Sequence, residues 1–271
     1  MDKRAVQTKY RFLTGDVLKW TAVISMVIDH IAAVVLKGYV NARLFSFTGA
    51  QLKRLDVIYT WMRRAGRTAF PLFAFLLVEG FFHTRNRKRY GLRLLCFAAL
   101  SEIPYNLAFY GQVWYAAAQN TLFTLFLGLL LMSAADWVRD GCVWKGRSGS
   151  LFVPADGVRF ALQGLVFLAG GGLAYVCRLD YTYKGIALIA VFYLFFAFRS
   201  AAALAGLCVF SWNLWSFPAF MMIPFYNGRR SGRQRRGGVP VRKLRGFYLF
   251  YPLHLLTLYG LLVFLQAVMA N

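Results

Sequence analysis

Eight apolar blocks, each near the length that crosses a bilayer, constrain this chain more than any other feature. They fall at about 17–37, 65–83, 91–110, 120–136, 158–176, 184–198, 200–226 and 246–269. A helix rises ~1.5 Å per residue and the hydrocarbon layer is ~30 Å thick, so roughly 20 apolar residues span it. The blocks are continuous rather than alternating, which selects helices over a β-barrel. Composition agrees: 59% of residues are hydrophobic and 15% charged, where a soluble domain carries roughly 25% charged residues. The expected fold is all-α, a polytopic transmembrane helical bundle of eight to nine spans forming a single integral membrane domain over 1–271. The polar, basic first sixteen residues lack a small-residue cleavage pattern, so 17–37 is expected to be retained as the first span.

The 271 residues carry 32 Lys and Arg against 10 Asp and Glu, a net charge of +22. In a soluble protein this balance points to nucleic acid. Here the positive charge sits in short loops between apolar blocks, the positive-inside pattern, so nucleic acid is not expected and anionic lipid is. The loop 84–93 holds five basic residues and no acid and is expected in the cytoplasm. The uncharged 111–119 is expected outside, and 137–157, with Arg139, Lys145 and Arg147, inside again. This alternation puts the N-terminus, with Lys3, Arg4, Lys9 and Arg11, in the cytoplasm.

Two regions resist a simple count. The loop 228–246 has eight basic residues and no acid, so it belongs inside, yet one crossing at 200–226 would put it outside. Either 200–226 crosses twice or it forms a broken, re-entrant helix pair, turning near Asn213 with Pro218 and Pro224 as breakers. Residues 38–64 mix Phe45, Phe47, Tyr59 and Trp61 with Lys53, Arg54, Arg63 and Arg64, as an interfacial amphipathic helix does. The four cysteines (Cys96, Cys142, Cys177, Cys208) are scattered without ligand spacing and read as free thiols, with no metal expected.

Ionisable groups inside a bilayer cost roughly 2.5–3.5 kcal/mol each, so they pair or they work. This chain places Asp29 and His30 in the first span, Glu79 and His83 in the second, Ser101 and Glu102 in the third. Gln119, Asn120, Thr121 and Thr124 open the fourth, and Tyr251 and His254 lie in the last. All three histidines are thus in spans or at their ends, and histidine is suited to moving protons near neutral pH. Lys19 and His30 are eleven residues apart, which puts them on one helix face about 16 Å apart. Asp29 and His30 are adjacent, about 100° apart around the helix, so a carboxylate partner for His30 is sought on another span, at Glu102 or Glu79. Structural readings stand beside these: Glu79 and Glu102 pairing with Arg67 and Arg93, His83 at the membrane surface, and His254 bonded to a carbonyl freed by Pro252. The cluster Arg85, Arg87, Lys88 and Arg89 sets topology or holds phosphates.

Six segments together resemble the TraX family, named for the enzyme that N-acetylates pilin in conjugative bacteria: LKWTAVISMVIDHIAAV (18–34), RAGRTAFPLFAFLLVEGFFHTRNRKRY (64–90), RLLCFAALSEIPYNLAF (93–109), QNTLFTLFLGLL (119–130), DYTYKGIALI (180–189) and FYNGRR…FYLFYPLHLL (225–256). The likeness runs from about residue 13 to 258. A more distant one is to membrane acyltransferases that use acetyl-CoA, through Lys19-x10-His30 and Tyr251-Pro-Leu-His254.

The resemblance implies a membrane-embedded acetyltransferase in the bacterial cytoplasmic membrane. It would move an acetyl group from cytoplasmic acetyl-CoA to an amine or hydroxyl of a pilin-like peptide or an envelope glycan. The implied catalytic set is His30 and Asp29 with Glu79 or Glu102. The donor would be held by Lys19, Arg67, His83, Arg85, Arg87, Lys88, Arg89 and Arg93, with Arg229 and Arg230 second. Ser101, Asn120, Thr124, Tyr251 and His254 would face substrate or oxyanion. His30 either deprotonates the acceptor or is itself acetylated first. Two other classes remain: a proton-coupled transporter using the same Asp, Glu and His residues, and a structural factor in which they hold the bundle together.

Overall fold

Helix length divides the apolar blocks into two kinds in the computed structural model, which describes residues 10–141, 144–145, 151–152, 156–211, 214–229 and 245–270. Six helices are long and apolar enough to cross a membrane: Gly15–Ala42, Gly49–His83, Arg87–Tyr110, Thr121–Asp140, Asp156–Val176 and Tyr248–Met269. Three more, Thr182–Leu194, Arg199–Val209 and Leu214–Phe225, are apolar but shorter. The chain is a multi-pass helical membrane protein; among the described residues six helices are full-length candidates, and the expected eight to nine spans would need the shorter helices to be counted as well. Among the described residues, strands are confined to β1 (Trp144–Lys145) and β2 (Leu151–Phe152), a two-residue antiparallel pair.

The short helices account for the difference in count. Thr182–Leu194 has 13 residues, about 20 Å of helix, where a full crossing takes ~30 Å. The block 200–226 is two legs rather than one span. The first is Arg199–Val209; the second runs Leu214–Ser216, Phe217–Met222 and Ile223–Phe225, with prolines at the first turns of its last two pieces. The Arg199 guanidinium donates to the Tyr226 carbonyl at 2.5 Å, closing the pair at its base. Both ends of 200–226 therefore return to one face. That face also carries the N-terminal segment, because Leu13 pairs with Tyr226 and the Gly15 amide donates to the Arg229 carbonyl. The expected turn at Asn213, together with Cys142, Arg147, Arg230, residues 230–244 and Lys3, Arg4 and Lys9, lies outside the described residues.

In chain order the helices are α1 (Gly15–His30), α2 (Lys37–Ala42), α3 (Gly49–Gly66), α4 (Ala69–His83), α5 (Arg87–Tyr110), α6 (Thr121–Gly141), α7 (Asp156–Val176), α8 (Thr182–Leu194), α9 (Arg199–Val209), α10 (Phe217–Met222) and α11 (Arg245–Ala270). Local chemistry sets their ends. Thr14 and Asn86 cap α1 and α5 with side-chain oxygens, Thr48 and Gln51 form a capping box on α3, and Gly111 ends α5 with φ 67°. Between α1 and α2 the chain does not break; it widens into a π-helix over Ile31–Leu36. Residues 38–64 are accordingly divided: the first few complete the opening helix, and α3 leads through a bend at Arg67–Thr68 into α4. Arg43, Lys53 and Arg54 lie at the far end of these helices from Gly15, so positive charge is not confined to one face.

A buried carboxylate fastens the N-terminal face. Asp136 receives Arg87 at 2.6 Å, Arg139 at 3.1 Å and the Tyr193 hydroxyl at 2.6 Å, tying α5, α6 and α8. Above it runs an aromatic core in which Phe75 sits edge-on to Phe192 and Tyr226.

Where α1 crosses α3 the backbones approach closely at Gly66. A Cβ there would lie 2.3 Å from Asp29 Cβ and 2.4 Å from its Oδ1, far inside van der Waals contact. Nearby, the Ser25 hydroxyl donates to the Ala65 carbonyl at 2.5 Å. Gly66→Ala is expected to force the helices apart at a cost of about 1–3 kcal/mol, read as a lower thermal midpoint in detergent; an unchanged midpoint would mean that this crossing is not tightly packed.

Candidate functional site

Two histidines 224 residues apart in sequence meet in the middle of the bundle. His30, the last residue of α1, lies with Nδ1 2.7 Å from Nε2 of His254 on α11. Their rings are parallel within 7°, with centroids 5.0 Å apart. The other nitrogen of His254, Nδ1, is 2.9 Å from the Phe250 carbonyl one turn earlier. A carbonyl only accepts, so His254 Nδ1 carries hydrogen. In neutral His254, Nε2 must then accept, and His30 Nδ1 must donate to it. What remains on His30 is the lone pair of Nε2: a base whose tautomer the neighbouring ring fixes. Phe109 and Tyr251 present ring edges to His30, and Phe250 stacks on His254 at 5.1 Å.

Charge surrounds this pair. Asp29 turns away from His30 to Arg63, 2.5 Å off on α3, while its Oδ1 is buried without a hydrogen-bond partner. Arg67, at the bend after α3, lies in electrostatic range of both Asp29 and Asp180. Asp180 sits in the turn from α7 to α8. Its carboxylate accepts from the Thr121 hydroxyl and from the Tyr181 amide at 3.0 Å, and its carbonyl accepts from the Thr124 hydroxyl. The turn is strained: Arg178, Tyr181 and Thr182 all have positive φ, at 54°, 61° and 46°, which costs most for an aromatic or β-branched residue. Tyr181 is held there by stacking on Phe70 at 3.8 Å. Burial pushes the Asp180 carboxyl above the usual carboxylate range, against the pull of the Thr121 hydroxyl, the Tyr181 amide and the Arg67 and Arg63 charges.

Neither expected carboxylate partner of His30 touches it. Glu79 is buried toward the N-terminal face, taking the Tyr226 hydroxyl at 3.1 Å with His83 at 3.7 Å. Glu102 accepts from the Asn120 side chain at 2.5 Å and its amide at 3.3 Å, so it pairs with an amide and not with Arg93. The expected oxyanion donors are occupied as well. Ser101 donates to the Phe97 carbonyl at 2.6 Å, Thr124 to Asp180, and Asn120 to the Ala98 carbonyl at 2.9 Å and to Glu102. Tyr251 differs: it is 7% exposed, and its hydroxyl is buried without a partner that meets hydrogen-bond geometry.

The basic residues divide in the same way. Arg87 belongs to the Asp136 cluster and lies over Phe81, so its guanidinium is committed. Arg85, Arg89 and Arg93, with Thr84, Asn86 and Leu92, line an open depression of about 400 Å³ on the N-terminal face. Lys88 is exposed beside it, and exposed His83 bonds the Glu79 carbonyl at 2.8 Å. Lys19 is on α1 with His30 but stays three turns nearer the N-terminus. Arg63, Asp180 and Tyr181 belong to the site and were not singled out by sequence. The signal for Asp180 was its place at the head of DYTYKG, a polar turn between two apolar helices.

The chain matches the family model described as TraX protein over residues 14–262. It is 30% identical over 269 residues to the "Probable fimbrial assembly protein FimC, serogroup H1" of Dichelobacter nodosus, covering 92% of this chain and 96% of that one. It is 29% identical to "Protein TraX" of Escherichia coli over 204 residues, covering 71% of this chain and 70% of that one. No solved structure matches it.

The tautomer assignment is directly measurable. In protein labelled with ¹⁵N-histidine, His30 is expected as the Nδ1–H form, and His254→Ala should release that preference; an Nε2–H signal for His30 in the native protein contradicts the assignment.

Proposed function

The chain belongs to the TraX family, and on that footing we propose that it is an acetyltransferase of the bacterial cytoplasmic membrane. It would move an acetyl group from acetyl-CoA to an amine or hydroxyl of an envelope acceptor. The observation that carries the reading is the His30–His254 pair: a base with an assigned lone pair, set between the first and last helices with the Asp29–Arg63 ion pair beside it. A structural histidine needs its nitrogens satisfied; this arrangement leaves one directed away from its partner.

The chemistry asked of that lone pair is a proton transfer. As the acceptor nitrogen or oxygen attacks the thioester carbonyl, its proton passes to His30 Nε2, the C–S bond breaks, and the proton goes to the departing thiolate. The His30 Nδ1–H bond to His254 keeps the ring oriented and spreads the charge it acquires. In the covalent variant the same lone pair attacks the thioester first. Mass-spectrometric trapping of acetylated His30 separates the two. Tyr251 stands beside His30 with its hydroxyl near Thr121 and supplies the hydrogen bond to the developing oxyanion.

The donor's phosphates would be held in the depression lined by Arg85, Arg89 and Arg93 at the capped start of α5, where guanidiniums can fork onto phosphate oxygens. From Arg93 to Phe109, which touches His30, α5 rises about 24 Å. A donor held there must reach the pair by an extended arm, as a thioester on a long flexible chain does. The basic face would lie in the cytoplasm beside anionic lipid. The acceptor, a pilin-like peptide or an envelope glycan, would enter from the opposite face. The Dichelobacter nodosus relative, named for fimbrial assembly, favours the peptide.

His30→Ala is expected to lower acetyl transfer by about 10²–10⁴-fold while the protein stays folded and inserted; full activity sinks the mechanism. Replacing Arg85, Arg89 and Arg93 by Gln should raise KM for acetyl-CoA by about tenfold per lost contact with kcat nearly unchanged. A change in kcat alone would place the donor elsewhere.

A further inference from the structure

We infer that Asp180 is the acceptor-binding carboxylate, seating a protonated amine at the mouth of the histidine pair and taking its first proton; this rests on the acetyltransferase reading above.

Three observations lead there. First, Asp180 makes no ion pair among the described residues, although two arginines lie in electrostatic range. Arg63 is taken by Asp29, and Arg67 lies close to Tyr181 and within range of both acids without an ion-pair contact to either. Second, the carboxylate is not loose. Thr121 holds one oxygen and the Tyr181 amide the other, on a turn whose three left-handed residues fix its direction. Each oxygen keeps a lone pair for a further donor. Third, the carboxylate is linked to the site: Thr121, which donates to it, also lies at the hydroxyl of Tyr251, whose ring meets His30 edge-on. Tyr251 is more than nine-tenths buried. A held carboxylate between Thr121 and the stacked ring of Tyr181 is a setting for an ammonium.

The role follows from what an amine needs. An ammonium has no lone pair and cannot attack a carbonyl. One N–H proton passes to the Asp180 carboxylate, whose burial raises its affinity for a proton. The free nitrogen then attacks the thioester; the C–N bond forms and the C–S bond breaks. The second proton goes to His30 Nε2 and on to the thiolate. Asp180 and His30 thus divide the two protons that amide formation must remove.

The test uses the full chain in detergent with a tripeptide amide, its amino terminus either free or acetylated. The wild-type protein is expected to gain thermal stability from the free-amine form alone, and Asp180→Asn to lose that distinction; Asp180→Ser serves if the first variant fails to fold. Equal response to both peptides by the wild type, or an undiminished preference in either variant, overturns the inference. With acetyl-CoA added, Asp180→Asn should slow transfer to the free-amine peptide at least tenfold, chiefly through a raised KM for that peptide, and His30→Ala should abolish transfer through kcat. Amine binding that depends on Asp180, without acetyl transfer by the wild type, removes the acetyltransferase reading and leaves the cation site standing.

Discussion

A nitrogen or oxygen inside hydrocarbon has no water to turn to, and this bundle is organised around that lack. The hydrogen bond between His30 and His254 joins the opening helix to the closing one at mid-bundle. Around it the acids answer to partners: Asp29 to Arg63, Glu102 to Asn120, Asp180 to the Thr121 hydroxyl and the Tyr181 amide. Such bonds between transmembrane helices are modest, about 0.6 kcal/mol on average. Their larger effect is on geometry, because each shift of one helix leaves a partner unsatisfied on the next. The pairing that keeps the helices in register also fixes which nitrogen of His30 can act.

The two faces divide the labour. Toward the N-terminus lie structural clasps, Asp136 among Arg87, Arg139 and Tyr193, and Glu79 with Tyr226, together with the arginine-lined depression. Between mid-bundle and the opposite face lie the histidine pair, Arg63 of α3, Arg67 at the bend after it and the strained turn of Asp180. The aromatic core of Phe70, Phe75, Phe192 and Phe210 stands between them. Two substrates that differ in charge would then approach from different sides and meet only at the imidazole.

Much of the architecture could be read from the chain because a bilayer sets a length scale. Runs of about twenty apolar residues declared the long helices. The short legs at 199–225 could not be counted the same way: hydropathy sums to one block whether the chain crosses or doubles back, and only the return of Tyr226 to Arg199 decides. His30 stood out because apolar residues surround it. His254 stood out too, through Tyr251-Pro-Leu-His254, but nothing in one dimension says that position 254 comes home to position 30. The carboxylates misled for a related reason. Glu79 and Glu102 have the right chemistry and depth, but rotation about each helix axis, invisible without neighbours, turns them to Tyr226 and Asn120. Asp180 was overlooked because it sits in a loop, where an acid draws no attention until the folded turn brings it inward.

The wide π turns at Ile31–Leu36 have a consequence for how tightly the length of this segment is held. A π turn is an α turn with one residue too many. Removing a residue from 31–36 would let the segment relax into ordinary α-helix, and the chain would tolerate the loss as far as helicity goes. Winding all six residues as ordinary α-helix instead would rotate everything beyond by about 100° against everything before. Lys37–Ala42, which packs beside α11 through Gly38 and Leu262, and His30, which meets α11 through His254, could no longer face that helix together. The wide turns absorb the surplus residue and so keep two contacts on one partner helix in phase.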